Sequence, residues 1–262
     1  MEDQEQKTRV QASFAASARA YVKSPVHAAG EDLDRLVLWA SAHERALALD
    51  VATGGGHTAL ALSGVCRRVI ALDFTVPMLE AARRFIHVKG GPNVSFVAAD
   101  VDALPFHDGA FDLASCRIAP HHFSDVPNAV SEISRVLKPG GEFLLQDILG
   151  HDDPELAAFI TEAERRRDPT HVRAYRSDEW LKYLEAAGLK IIEEATITKE
   201  RMFDEWTARV GTPATVKADL ERFILTAPAR HREALQVKSE QGRLLTFSDR
   251  YLLVRALKPS SL

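Results

Sequence analysis

The chain has 262 residues, 46% hydrophobic and 27% charged, with a formal net charge of -4. Such a composition builds a buried core without staples, and its charge gives no general attraction for nucleic acid or anionic lipid. Only two cysteines occur, Cys66 and Cys116, outside any metal-ligand spacing, and no run approaches the roughly 18 apolar residues of a bilayer span. A small-molecule partner is therefore expected, with no nucleic acid, membrane or metal, while homodimerisation stays open.

The first ten residues, MEDQEQKTRV, are polar and lack an apolar h-region, which suggests a cytoplasmic location. Phe14 and Tyr21 stand seven apart, on one face of a helix. Residues 27–42 read as a second helix with Leu33, Leu36, Val37 and Ala40 as its apolar stripe. ALALDV (46–51) is a buried strand running into glycines, RVIALD (68–73) a second strand, and 76–88 a helix with Pro77 in its first turn. VSFVAAD (94–100) and FDLASC (111–116) are strands, 126–137 is an amphipathic helix stopped by LKPGG, and 142–148 is the fifth strand. This alternation predicts an α/β fold with a doubly wound parallel sheet.

Beyond Gly150 the pattern changes. Residues 154–167 are helical, 167–177 have no period, and 178–187 are helical up to Gly188. A strand follows at 189–197, then helical pieces over 202–237 broken at 211–213 and at Pro228, then a last strand at 246–258. The expectation is one domain over 1–262: a helical lid (1–44), a ligand-binding core (45–150), and a segment completing the sheet and capping the site (151–262).

The most informative run is LDVATGGGHTAL (49–60). Glycines between a strand end and a helix start allow backbone to approach a ligand. Gly54-x-Gly56-x-x-Ala59 alone also satisfies a dinucleotide fingerprint. The neighbouring acids separate the two cases. Asp50 repels a pyrophosphate but attracts an ammonium or sulfonium, Asp73 suits ribose hydroxyls, and Asp100 suits an exocyclic adenine amine. The plain alternative is that strand-end acids cap helices.

With ALDFTVPML (71–79), AADVDALPFHDGAFD (98–112) and RVLKPGGEFLLQD (135–147) following in order, the chain resembles class I S-adenosylmethionine-dependent methyltransferases, closest to small bacterial ubiquinone/menaquinone-biosynthesis enzymes. The resemblance implies a Rossmann-like, mostly parallel seven-stranded sheet with an antiparallel C-terminal strand and a helical cap. It implies S-adenosylmethionine as cofactor and S-adenosylhomocysteine as product. Asp50, Thr53, Gly54 and Gly56 would line the methionine moiety, Asp73 the ribose, Phe74 and Met78 the adenosine, and Asp100 and Val101 the adenine, under a lid containing Tyr21. Phe74 and Met78 suit core packing equally well. Ala52, Thr53 and Gly55 replace the first glycine, the cysteine and the threonine of the usual Gly-Cys-Gly-Thr-Gly.

His121 and His122, just after the fourth strand, are the candidate general bases or substrate orienters. Arg117 is a candidate contact to the cofactor carboxylate, or else half of an internal ion pair, and His171 and Arg173 are candidate substrate contacts. The expected function is methyl transfer to a small acceptor. The alternatives are a noncatalytic or non-methylating S-adenosylmethionine-binding protein and a nicotinamide-dependent oxidoreductase.

Overall fold

The short apolar runs pair as parallel strands because each has both faces to bury. The computed structural model describes residues 2–260, so residues 1, 261 and 262 of the expected domain lie outside it. Its strands are β1 (Arg45–Val51), β2 (Cys66–Asp73), β3 (Val94–Ala98), β4 (Phe111–Arg117), β5 (Leu137–Ile148), β6 (Lys190–Met202), β7 (Lys238–Glu240) and β8 (Arg243–Leu257). They run in the order β3-β2-β1-β4-β5-β8-β6, with β7 pairing β8 off that path. Strands β1 to β5 are parallel, and β8 is antiparallel to both β5 and β6. The seven strands of the path match the expected sheet, and the three-residue β7 is an addition without a sequence signal.

Successive residues on each strand face opposite layers. Ala48, Leu113, Leu144 and Leu253 pack on one face, and Leu49, Ala114, Leu145 and Val254 on the other. The first layer is covered by α3 (Glu31–Ala40), α4 (His57–Ser63) and α5 (Val76–Lys89), the second by α6 (Val126–Val136) and α8 (Ser177–Ala186). A third cluster joins α7 (Pro154–Arg167), α9 (Phe203–Arg209) and α10 (Ala214–Leu225) around Phe203, Trp206, Leu220 and Phe247, with α11 (Ala229–Ala234) beside it. Both cysteines are buried and free. No helix among the described residues is long and apolar enough to cross a membrane.

Several expectations shift. The polar N-terminal segment is helical well before Phe14: α1 spans Glu2–Val22. The helix expected over 27–42 is two, α2 (Pro25–Ala28) and α3, because Gly30 takes a φ of 140° that interrupts the first. Strand β3 stops at Ala98, and Asp100 caps a short 3-10 turn, Val101–Ala103, by accepting from the Asp102 N–H at 3.1 Å. Strand β6 runs on to Met202 because it pairs with β8 from Lys190–Leu257 to Met202–Thr246, and β8 starts earlier than expected, at Arg243, because its first residues pair with β7.

One buried charge group ties α3 to the sheet. Asp32 on α3 is fully buried, and its carboxylate lies 2.7 Å from Arg117 at the end of β4 and 2.5 Å from Lys199 on β6. Burial pushes the Asp32 carboxyl up, but the two cations outweigh it and hold it below the usual carboxylate range. Removing one member of such a group leaves uncompensated buried charge. Asp32→Ala is expected to cost about 3–5 kcal/mol, measured by chemical denaturation. A loss under about 1 kcal/mol, the scale of an exposed pair, would show that the group does not hold the fold.

Candidate functional site

The sheet order reverses between β1 and β4, so their connections leave in opposite directions and a crevice opens at their carboxyl ends. From Val51 the chain turns through Ala52, Thr53 and Gly54 to Gly56, where α4 begins. The Thr53 N–H donates to the Leu72 carbonyl at 2.8 Å, fixing the turn to β2. Gly54 sits at φ 54°, and a Cβ there would meet nothing closer than the Ala52 carbonyl at 3.9 Å, so the floor is free of side chain.

The acids at the strand ends converge on this turn. Asp50 is 1% exposed, and its carboxylate accepts hydrogen bonds from the Thr53 hydroxyl at 2.6 Å and the Ser115 hydroxyl at 2.7 Å. Burial pushes it up to about 6 despite those donors. Asp73 accepts from the Gly54 N–H at 3.0 Å and the Thr75 N–H at 2.9 Å, and burial raises it as well. Asp100 lies 2.8 Å from Lys7. All three line one cleft with about 1040 Å³ of free space, its open mouth included. Tyr21, Thr53, Gly54, Phe74, Met78, Val101, Arg117 and His122 line it too.

Helix α1 lies across this cleft. Lys7 reaches Asp100 and Asp102, the Gln11 amide donates to the Phe74 carbonyl at 3.0 Å, and Phe14 packs on Tyr21 with ring centroids 5.3 Å apart. A Cβ at Gly55 would lie 3.0 Å from the Tyr21 carbonyl carbon and 3.1 Å from its oxygen. The glycine that stands where the motif usually has threonine thus admits the end of α1.

Not every expected residue joins the cleft. Gly56 faces α5, where an added Cβ would come within 2.9 Å of Ile86. Arg117 reaches the wall, but its guanidinium is taken by Asp32, Gln146 and the carbonyls of Val26 and His27, the ion-pair alternative. Arg173 is not at the cleft: it pairs with Glu179 at 2.9 Å and covers the Tyr175 ring at 4.0 Å. His171 is buried behind the wall, its ring centroid 5.3 Å from that of His121.

The paired histidines differ in kind. His121 sits behind the wall with Nδ1 2.6 Å from Asp147; burial disfavours its charge, but the carboxylate outweighs burial and raises it. His122 faces the cleft; burial, then the charge on His121, lower it to about 3. The Thr170 hydroxyl donates to Asp168, so it and the Thr170 carbonyl both accept from His122 Nδ1–H at 3.1 and 3.2 Å. His122 is therefore neutral at pH 7 with its lone pair on Nε2. Sequence reasoning missed Lys7, His27 and His57 as lining residues. The signal for Lys7 was the spacing 7-11-14-18-21, one helix face running through the supposed tail.

The family model described as a methyltransferase domain matches residues 49–145. An uncharacterized methyltransferase, YcgJ of Bacillus subtilis, is 36% identical over 246 residues, 94% of this chain and 97% of that one. The chain belongs to the class I S-adenosylmethionine-dependent methyltransferases. A crystal structure of a Bacillus halodurans protein assigned as a methyltransferase superposes on this methyltransferase with a TM-score of 0.84 at 36% identity, covering 88% of this chain and 100% of the other. The demethylmenaquinone methyltransferase of Thermus thermophilus is 41% identical over 113 residues, 42% of this chain and 50% of its own length. The carboxylates and the open turn fit the cationic amino-acid nucleoside this family uses. For the lid, Gly55→Thr in this methyltransferase is expected to push α1 away and weaken S-adenosylhomocysteine binding at least several-fold by calorimetry. An unchanged affinity would show that α1 does not cover the ligand.

Proposed function

We propose that this methyltransferase binds S-adenosylmethionine between α1 and the β1–β4 crevice and methylates a small molecule, the chain acting as one unit of lid, core and cap. The observation that carries this reading is the convergence of Asp50, Asp73 and Asp100 beside a turn whose floor bears no side chain. When bound, S-adenosylmethionine supplies a methyl group already activated by its sulfonium.

The chain's contribution is then placement and exclusion of water. Asp50, held by Thr53 and Ser115, presents negative charge to the amino-acid end. Asp73 spends one lone pair of each oxygen on Gly54 and Thr75 and keeps the others for two ribose hydroxyls. Phe74, Met78 and Val101 flank the base, and Asp100 meets its exocyclic amine. Tyr21 and the rest of α1 close the top. His122 orients an acceptor through Nε2; at about 3 it is too weak to take a proton at neutral pH. His121, fixed by Asp147, supports His122 from behind.

Calorimetry with S-adenosylhomocysteine and with NAD tests the reading. The former is expected to bind at sub-millimolar concentration and NAD not at all; the reverse order would overturn the assignment. Because Asp50 titrates near 6 and only its ionised form attracts an ammonium, affinity rises with pH. The expected gain between pH 5 and pH 7 is roughly tenfold, and a flat profile would contradict the role of Asp50. Asp73→Ala is expected to weaken binding by about 1.5–3 kcal/mol, and an unchanged dissociation constant in a folded variant would remove the ribose assignment.

A further inference from the structure

The aperiodic segment after α7 sends neither His171 nor Arg173 to the cleft, but through Thr170 it reaches His122, which lines it. The segment is tied on both sides. Arg165 donates to the carbonyls of His171 and Val172, and the Val172 N–H donates to the His121 carbonyl at 2.9 Å. Asp168, 1% exposed at the end of α7, folds the chain into a turn. One of its oxygens, Oδ1, accepts from the Thr170 N–H at 3.0 Å and from the Thr170 hydroxyl at 2.5 Å.

That turn commits both oxygens of Thr170. Because a backbone N–H already donates to Asp168 Oδ1, that oxygen carries no proton, and the Thr170 hydroxyl gives it its own. The hydroxyl oxygen, 3.1 Å from His122 Nδ1, can then only accept. The Thr170 carbonyl, 3.2 Å from the same nitrogen, also only accepts, and it receives the Gln6 amide of α1 at 2.7 Å besides. Two acceptors therefore face one ring nitrogen, and the partner of one imidazole nitrogen decides which of the two holds the proton. Phe14 and His121 pack against the same ring, with centroids 5.0 and 4.2 Å away.

We propose that Asp168 and Thr170 are positioning residues: through them His122 keeps its proton on Nδ1 and turns a bare Nε2 to the cleft. Neither touches the molecule to be methylated. Held in this way, His122 accepts a hydrogen bond at the cleft and donates none there. It thus orients a methyl acceptor that presents a hydroxyl or an N–H group. This role rests on the cleft being the site of methyl transfer, whereas the hydrogen-bond chain stands without it.

The test is long-range proton–nitrogen NMR at pH 7 on the full chain carrying nitrogen-15 histidine, with S-adenosylhomocysteine added. A bare imidazole nitrogen resonates far from a protonated one, and comparison with His122→Gln identifies the His122 signals. Wild type is expected to show a protonated Nδ1 and a bare Nε2. Asp168→Asn, whose amide oxygen can accept the same two bonds, is expected to keep that pattern. Asp168→Ala frees the Thr170 hydroxyl to donate to Nδ1, and the proton is expected to move to Nε2 in most molecules. Adding Thr170→Val to Asp168→Ala leaves only the carbonyl and is expected to return the proton to Nδ1, a reversal that mere loosening of the fold would not give. A wild-type proton on Nε2, or an Asp168→Ala spectrum like that of wild type, overturns the inference, and the first result decides even if Asp168→Ala does not fold. Failure of S-adenosylhomocysteine to bind wild type overturns the donor-site reading instead, so the two failures are distinguishable.

Discussion

Carboxylates at the carboxyl ends of parallel strands have few protein partners, and this molecule places two of them on either side of one turn. Asp50 and Asp73 end neighbouring strands that pair in register, and the turn after β1 donates to each: Thr53 to the first, Gly54 to the second. The donors keep the acids in position without neutralising them. Burial raises both. A bound cation relieves that cost, so the strength of the site and the instability of the empty acids have one physical source.

The backbone is strained at the same place. Ala52 and Ile118 directly follow β1 and β4, the two strands at the reversal of sheet order, and take φ values of 52° and 54°. Left-handed backbone costs a residue with a Cβ on the order of 1–3 kcal/mol, and most for a β-branched one. Both residues line the cleft. The Ile118 N–H donates to the Gln146 carbonyl at 2.8 Å, and Arg117 beside it is fastened to Asp32, so sheet and ion pair together hold the conformation. At position 52 the usual glycine would adopt it freely.

The sheet and the acid-and-glycine constellation were legible because they are written locally. Leu49, Asp50 and Gly54 announce a buried strand, its end and a turn, and parallel pairing then leaves little choice of topology. Helix α1 was half legible: its polar outer residues hid Lys7 and Gln11, whose partners Asp102 and Phe74 lie 95 and 63 positions away. Arg117 and Arg173 were ambiguous for the same reason. Whether an arginine meets a ligand or a carboxylate depends on long-range neighbours, here Asp32 from α3 for one and Glu179 from α8 for the other.

The most direct measurement is a crystal structure with S-adenosylhomocysteine bound. Our account predicts the ribose hydroxyls on Asp73, the adenine between Met78 and Val101 within reach of Asp100, and the amino-acid end beside Asp50 and Gly54. A nucleoside held elsewhere, or lying in the cleft without touching Asp73, would contradict it.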